Sequence, residues 1–224
     1  MSRPSIVVKI SGKLVEDTGS LQGLVGVLRE LINEYRVAIV VGGGRLARKY
    51  VSFLGSLQAP KSLMDIAGIE ASRFYARVLA LALGSTAPVP RSYEEFLTQL
   101  ATGVNPIVAG GFQPGQSTTA VAALIAEAMR AERLVIATVV DGVFDRDPAK
   151  HPDAKLFPRL SITEALRVIE SSTEPGRYEL LEPYAASILQ RSGTRVYIVN
   201  GRHPERVLEA ARGGEPIGTL LTPD

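Results

Sequence analysis

The 224-residue chain contains no cysteine. Disulfide bonds, thiolate catalysis and cysteine-ligated metals are therefore excluded. It has two histidines, His151 and His203, each followed by proline in a loop or at a helix start. That leaves no material for a histidine-based triad or a multi-histidine metal centre. Long apolar runs are missing too: "VLALALG" at 78–84 is far too short to cross a bilayer. No large excess of one charge is present. Twenty-five lysines and arginines oppose 23 aspartates and glutamates, a net charge of +2, which argues against a protein that coats nucleic acid. The chain enters a strand by residue 5 with no signal-peptide pattern, so a cytoplasmic protein without membrane or nucleic-acid partners is expected.

What is present is an ordinary globular balance, 46% hydrophobic and 21% charged, enough for one α/β domain or two closely packed lobes. Strand character falls at 5–11, 37–41, 105–111, 133–140 and 194–200, and the last strand, 217–222, reads as an edge. Helical periodicity falls at 20–35, 45–57, 63–83, 117–130, 161–170, about 180–192 and 204–212. Ser161 and Glu164 form a capping box. Strand and helix alternate, which predicts a mostly parallel sheet covered on both faces. The loop-rich stretch 141–160 lies beyond a strand end, where such folds place ligands.

The stretch "RVAIVVGGGRLARKY" (36–50) is an apolar strand that stops at three glycines and continues into a cationic helix. Glycines at a strand-to-helix turn suit an anion, with phosphate as the first expectation. The Walker pattern is absent, because Gly12-Lys13 is followed by Leu14 and no glycine stands five residues before Gly12. Gly42-x-Gly44-x-x-Ala47 fits a dinucleotide fingerprint, with Asp65 as its acidic partner, yet residues 57–64 lack strand character and the motif follows the second strand. More specific is the recurrence of phosphate-suited chemistry at three strand ends: Lys9, Ser11, Gly12 and Lys13; then Gly42, Gly43, Gly44 and Arg48; then Gly110, Gly111, Gly115 and a run of hydroxyls. Phosphoryl transfer asks for positioning and distributed positive charge, and three anion sites suit two phosphorylated ligands facing each other.

Taken in order, "VVKISGK", "VVVGGGRLARKY", "LMDIAGI", "GGFQPGQSTTAVAA", "TVVDGVFDRDP" and "GRYELLEPYA" resemble the amino acid kinase family, in its archaeal-type UMP kinase branch, over nearly the whole chain. The resemblance implies a three-layer αβα sandwich with a mostly parallel central sheet. It implies one domain, 1–224, with an acceptor lobe over about 1–131 and an ATP lobe over about 132–224. It implies transfer of phosphate from Mg-ATP to UMP in pyrimidine nucleotide biosynthesis, Mg²⁺ arriving with ATP and no dedicated protein metal site, and a homohexamer.

The resemblance also implies roles. Lys9 is the catalytic cation at the transferred phosphoryl group. With it, Ser11, Gly12, Lys13, Gly44, Arg48, Thr138, Phe144 and Asp147 would bind ATP. Gly43, Asp65, Phe112, Gln113, Pro114, Gly115, Gln116, Ser117 and Thr118 would bind UMP, Asp65 at the ribose. The triple glycine would lie between donor and acceptor. Some positions depart from the family pattern. Val139 replaces an asparagine, Phe144 a tyrosine, Glu182 an aspartate, and Thr119 an aspartate that helps organise the lysine. Asp141 reads as a turn residue and Lys155 as a solvated lysine. Other readings are an amino acid kinase with a carboxylate or isoprenoid phosphate acceptor, a non-catalytic nucleotide or metal-oxyanion binder on the same fold, and a dinucleotide-dependent dehydrogenase.

Overall fold

The computed structural model describes residues 3–171, 180–215 and 217–224. The part of the last motif at 176–179, "GRYE", lies outside the described residues. Among the described residues, seven strands form one sheet in the order β3-β2-β1-β4-β6-β7-β5. The strands are β1 Ser5–Ile10, β2 Arg36–Val41, β3 Ile107–Ala109, β4 Arg133–Thr138, β5 Arg159–Ser161, β6 Arg195–Asn200 and β7 Thr219–Thr222. The four central pairings and β5–β7 are parallel, and only β6–β7 is antiparallel.

The helices are α1 Gly12–Glu16, α2 Thr18–Glu34, α3 Gly44–Ser56, α4 Lys61–Ala82, α5 Tyr93–Ala101, α6 Thr118–Ala128, α7 Ile162–Ser171, α8 Pro183–Ser192 and α9 Pro204–Arg212. Alternation along the strands sorts them into two layers. Val7, Ala38, Val40, Leu134 and Ile136 pack with α6 and α8 on one face. Ile6, Val8, Ile10, Ile39 and Val135 pack with α2, α9 and the second half of α4 on the other. The expected αβα sandwich is the observed fold.

Three readings needed correction. The strand at 217–222 is not an edge: β7 lies between β6 and β5, because residues 159–161, read as loop, return to form the edge strand β5. Helix α5 was not anticipated, although its signal is in the sequence. Ser92 caps it by accepting from the Glu95 N–H, and Glu95 accepts in return from the Arg91 N–H. The short α1 was missed as well. It is stabilised by burial of Leu14 and Val15 rather than by length. Asp65, the acid a dinucleotide fingerprint would put at a strand end, lies inside α4, and this removes that reading.

Chain order reverses at β1, which has β2 on one side and β4 on the other. The ends of β1, β2, β3 and β4 therefore share one edge of the sheet at a topological switch point, where open α/β sheets bind ligands.

Candidate functional site

The site forms because the loops leaving these strands touch through their backbones. Gly42 donates its N–H to the Ile10 carbonyl, and Ser11 donates its N–H to the Ala137 carbonyl, both at 2.9 Å. A side chain at Gly12 would lie 2.3 Å from both the Gly42 oxygen and the Gly44 nitrogen. Gly44 has φ +61°, a conformation that costs glycine little. A side chain at Gly43 would meet Ala47 at 2.5 Å and the Gly68 carbonyl at 3.0 Å. Close packing of protein against protein thus requires glycine here before any ligand is considered.

Lys9 lies on β1, in register with Val40 of β2 and Ile136 of β4, and is 9% exposed. It alternates with Ile10 and so sits on the sheet face that carries α6. Helix α6 begins beside it. Ser117 accepts from the N–H groups of Thr119 and Ala120 at 3.1 Å, while its own hydroxyl donates to Glu182. Thr119 is buried. Glu182 thereby joins the start of α8 to the start of α6. A Cβ on Gly42 would come within 3.6 Å of the Thr118 hydroxyl, so the third strand's loop reaches the first two.

On the β3 side, α4 organises the loop 110–118. The Asp65 carboxylate accepts from the Gly115 N–H at 2.9 Å, and Gly115 has φ +75°. Ser72, 1% exposed, accepts from the Gly111 N–H at 2.8 Å. Arg73 donates to the carbonyls of Gly111, Phe112 and Arg91 and pairs with Glu70. Ser72 and Arg73 were not anticipated from the sequence. They are unremarkable in a helix until the fold brings residues 110–112 against them.

On the β4 side, Thr138 is buried and its carbonyl accepts from Gly201. Asp141 accepts from Asn200 and Arg206, an arrangement that fastens the 139–142 turn to β6 and α9. Phe144 pairs with Leu156 in an antiparallel bridge, and Asp145 and Lys155 exchange backbone and carboxylate hydrogen bonds behind it. Asp147 accepts from Ala149 within its own turn. Phe144 and Asp147 lie on the opposite side of β1, in strand order, from Asp65 and Gly115.

Beyond the ends of β1 and β4 lies an open hollow of about 630 Å³ lined by Lys13, Arg45, Arg48, Lys49, Val139 and Arg202. Lys13 and Arg48 were expected here; Arg45, Lys49 and Arg202 were assigned no role. Burial first, then the charges of Arg48, Arg45 and Arg202, hold the Lys13 ammonium below its usual pKa, against a smaller opposing pull from Glu16. A hollow whose cations repel one another is suited to a ligand with several negative charges. Its donor set fits phosphate oxygens rather than a metal. Among the described residues no cluster of histidine, aspartate and glutamate is placed to hold one.

Glu16 is the main residue that the sequence did not reveal. Its Oε1 accepts from the N–H groups of Arg45 at 2.6 Å and Leu46 at 3.1 Å, and from the Tyr75 hydroxyl at 2.8 Å. Its Oε2 lies 3.3 Å from Arg45 Nε. The first turn of α3, expected to receive phosphate, therefore already carries a carboxylate from the protein. Burial pushes the Glu16 carboxyl up, but the Tyr75 hydroxyl, the Leu46 and Arg45 amides and the Arg45 charge outweigh it and leave it below the ordinary value. Burial, then the hydrogen bond to Glu16 and its charge, push Tyr75 up to about 12.

Comparison with known proteins agrees with this architecture. The model of the amino acid kinase family matches residues 4–200. A uridylate kinase of Hyperthermus butylicus is 50% identical over 227 residues, spanning 99% of this chain and 100% of its own. One from Sulfolobus acidocaldarius is 40% identical over 226 residues, spanning 98% of this chain and 99% of its own. The crystal structure of uridylate kinase from Archaeoglobus fulgidus superposes with a TM-score of 0.85 at 31% identity, covering 96% of this chain and 99% of that one. The UMP kinase structure from Ureaplasma parvum, at 20% identity and a TM-score of 0.77 over 99% of this chain and 100% of its own, shares the fold.

Proposed function

The chain belongs to the amino acid kinase family, and we propose that within it this protein transfers the γ-phosphoryl group of Mg-ATP to UMP, giving ADP and UDP. The observation that carries the reading is the 50% identity, over 99% of the chain, to a protein named uridylate kinase. The convergence of three glycine-bearing strand ends at one switch point supports it physically.

In this reading residues 1–131 supply the acceptor lobe and 132–224 the ATP lobe. Asp65 and residues 112–118 receive UMP, the carboxylate at the ribose hydroxyls and the loop around base and phosphate, with Gly43 at the approach. Ser11, Gly12, Lys13, Gly44 and Arg48 receive the ATP phosphates, and Thr138, Phe144 and Asp147 the nucleoside. Mg²⁺ is part of the donor substrate, carried on phosphate oxygens. A UMP phosphate oxygen attacks the γ-phosphorus as the bond to the β,γ-bridging oxygen breaks, and that oxygen's electron pair leaves with ADP. No carboxylate is needed to activate the nucleophile, since a phosphate monoester is largely ionised at neutral pH. What the protein supplies is alignment and charge. Lys9, fixed on the central strand, neutralises the oxygens of the phosphoryl group in flight, with backbone amides of the glycine loops beside it.

We also propose a cytoplasmic homohexamer working in pyrimidine nucleotide synthesis. Among the described residues no helix is long and apolar enough to cross a membrane. Tyr50 and Phe53 on α3, Leu57 just after it, and Leu63, Ile66 and Phe74 on α4 are exposed apolar side chains on or beside two helices packed together. Exposed apolar side chains grouped on neighbouring helices support association between copies.

The test is ADP formation in a coupled assay with UMP, CMP and dUMP as acceptors. UMP should be the fastest, and dUMP poor, because a site built to bind a hydroxyl rejects the analogue lacking it. Equal rates with UMP and CMP would exclude recognition of uracil, and no turnover with UMP would exclude the activity.

A further inference from the structure

We infer that Glu16 is a positioning residue for phosphoryl transfer, one that clamps the first turn of α3 to the end of α1 and, through Tyr75, to α4. This rests on the proposed kinase reading for its chemistry, while the clamp itself rests on geometry.

The argument begins with α3. This helix carries Gly44 and Arg48, yet among its thirteen residues none is buried. A helix without a buried side chain is not located by a core. Within one chain its position comes from the half-buried side it packs on α4 and from its N-terminal turn, before any contact between copies is made. At that turn one carboxylate oxygen holds the amides of Arg45 and Leu46 together with the Tyr75 hydroxyl. Such charge-assisted hydrogen bonds at a helix N-terminus are strong and also favoured by the helix dipole. The same oxygen lies 2.5 Å from where a Gly44 side chain would begin, so carboxylate and glycine turn fit with no slack.

The three elements meeting at Glu16 lead to different parts of the site. α1 follows directly from Lys9, Ser11 and Gly12. α3 follows from Gly43 and Gly44. Tyr75 lies one turn of α4 beyond Ser72, which holds Gly111, and α4 also carries Asp65, which holds Gly115. Glu16 is thus the point where the strand-one loop, the triple-glycine turn and the helix that shapes loop 110–118 are tied to one atom. Transfer between two bound phosphates is sensitive to their relative placement, and a displacement of about 1 Å can cost about a hundredfold in rate while each ligand still binds.

Three variants test this, with the wild type assayed alongside. Glu16→Ala should lower kcat per folded molecule by about tenfold or more while KM for ATP and for UMP moves by less than about threefold. Glu16→Gln keeps an oxygen that can accept two of the three hydrogen bonds but loses the charge, and should raise kcat at least about threefold above Glu16→Ala without reaching wild type. Tyr75→Phe removes only the link to α4, and should lower kcat by about threefold with KM for both substrates little changed. Hydrogen exchange over residues 43–49 should be faster in Glu16→Ala than in wild type, a readout independent of activity. If Glu16→Ala keeps kcat within twofold of wild type, or if glutamine fails to rescue it, the inference is overturned. Should Glu16→Ala fail to fold, an unaltered kcat in Tyr75→Phe overturns it instead. Equal exchange over 43–49 overturns the clamp whatever the enzyme's activity, and an inactive wild type overturns the kinase reading alone.

Discussion

The carboxylate of Asp65 accepts a hydrogen bond from the backbone N–H of Gly115 at 2.9 Å, across fifty residues of sequence. A side chain proposed to meet the acceptor's ribose is therefore also the anchor of the loop proposed to wrap it. Asp65→Asn separates the two duties, because an asparagine oxygen can still accept from Gly115. We expect weaker UMP binding by about 1–3 kcal/mol, with ATP binding little changed. Calorimetry with each nucleotide checks this. Equal weakening for both would make Asp65 purely structural.

Lys9→Met removes the charge from the central strand at nearly constant length. The side chain is 9% exposed and flanked by Val40 and Ile136, so methionine suits its surroundings and the fold should persist. We expect kcat to fall by about a hundredfold or more, with smaller changes in KM. Near wild-type kcat in a correctly assembled variant would move the catalytic role to Lys13.

The Tyr75–Glu16 pair has a signature at high pH. Tyr75 is raised to about 12 in the folded protein, so it holds its proton after the unfolded chain, with an ordinary tyrosine, has released one. Its contribution to stability is complete below the ordinary value and is lost as pH rises towards 12. Removing the Glu16 charge in Glu16→Gln should bring the Tyr75 titration part of the way down, burial still holding it up. Ultraviolet titration, with Tyr75→Phe used to assign the band, measures the difference. An unmoved titration would show that the two groups do not interact in solution.

Phe53→Asp places a carboxylate among the exposed apolar side chains of α3. We expect the assembly to dissociate to smaller species by light scattering, while each subunit keeps its far-ultraviolet circular dichroism. Retention of the full oligomer would shift the interface to another surface.

Much of this molecule was legible in the chain. Fully buried β-branched runs such as 6–10 and 37–41 announced central parallel strands, and the order of elements announced layers on both faces. Strand ends carrying Gly12, Gly42–Gly44 and Gly110–Gly111 announced the functional edge. What was not legible depends on the partner that folding supplies. Residues 159–161 pair only because β7 is there to receive them. Ser72 is an ordinary helical serine until Gly111 folds against it. Glu16 follows two apolar residues in a five-residue helix, and its ligands, Arg45 and Leu46, lie about thirty positions away. Helix α5 is the exception, since Ser92 and Glu95 mark its start in the sequence itself.

The hollow lined by Lys13, Arg45, Arg48, Lys49 and Arg202 also has a consequence for how a nucleotide arrives. In a chain with a net charge of only +2, five cations gathered at one place make a local positive field. A polyphosphate is drawn from about a Debye length away, about 8 Å at physiological ionic strength, before any hydrogen bond forms. Added salt shortens that reach. Encounter should therefore slow as salt rises while the chemical step, shielded at the strand ends, proceeds at the same pace. Stopped-flow association and single-turnover rates across a salt series would separate capture from catalysis.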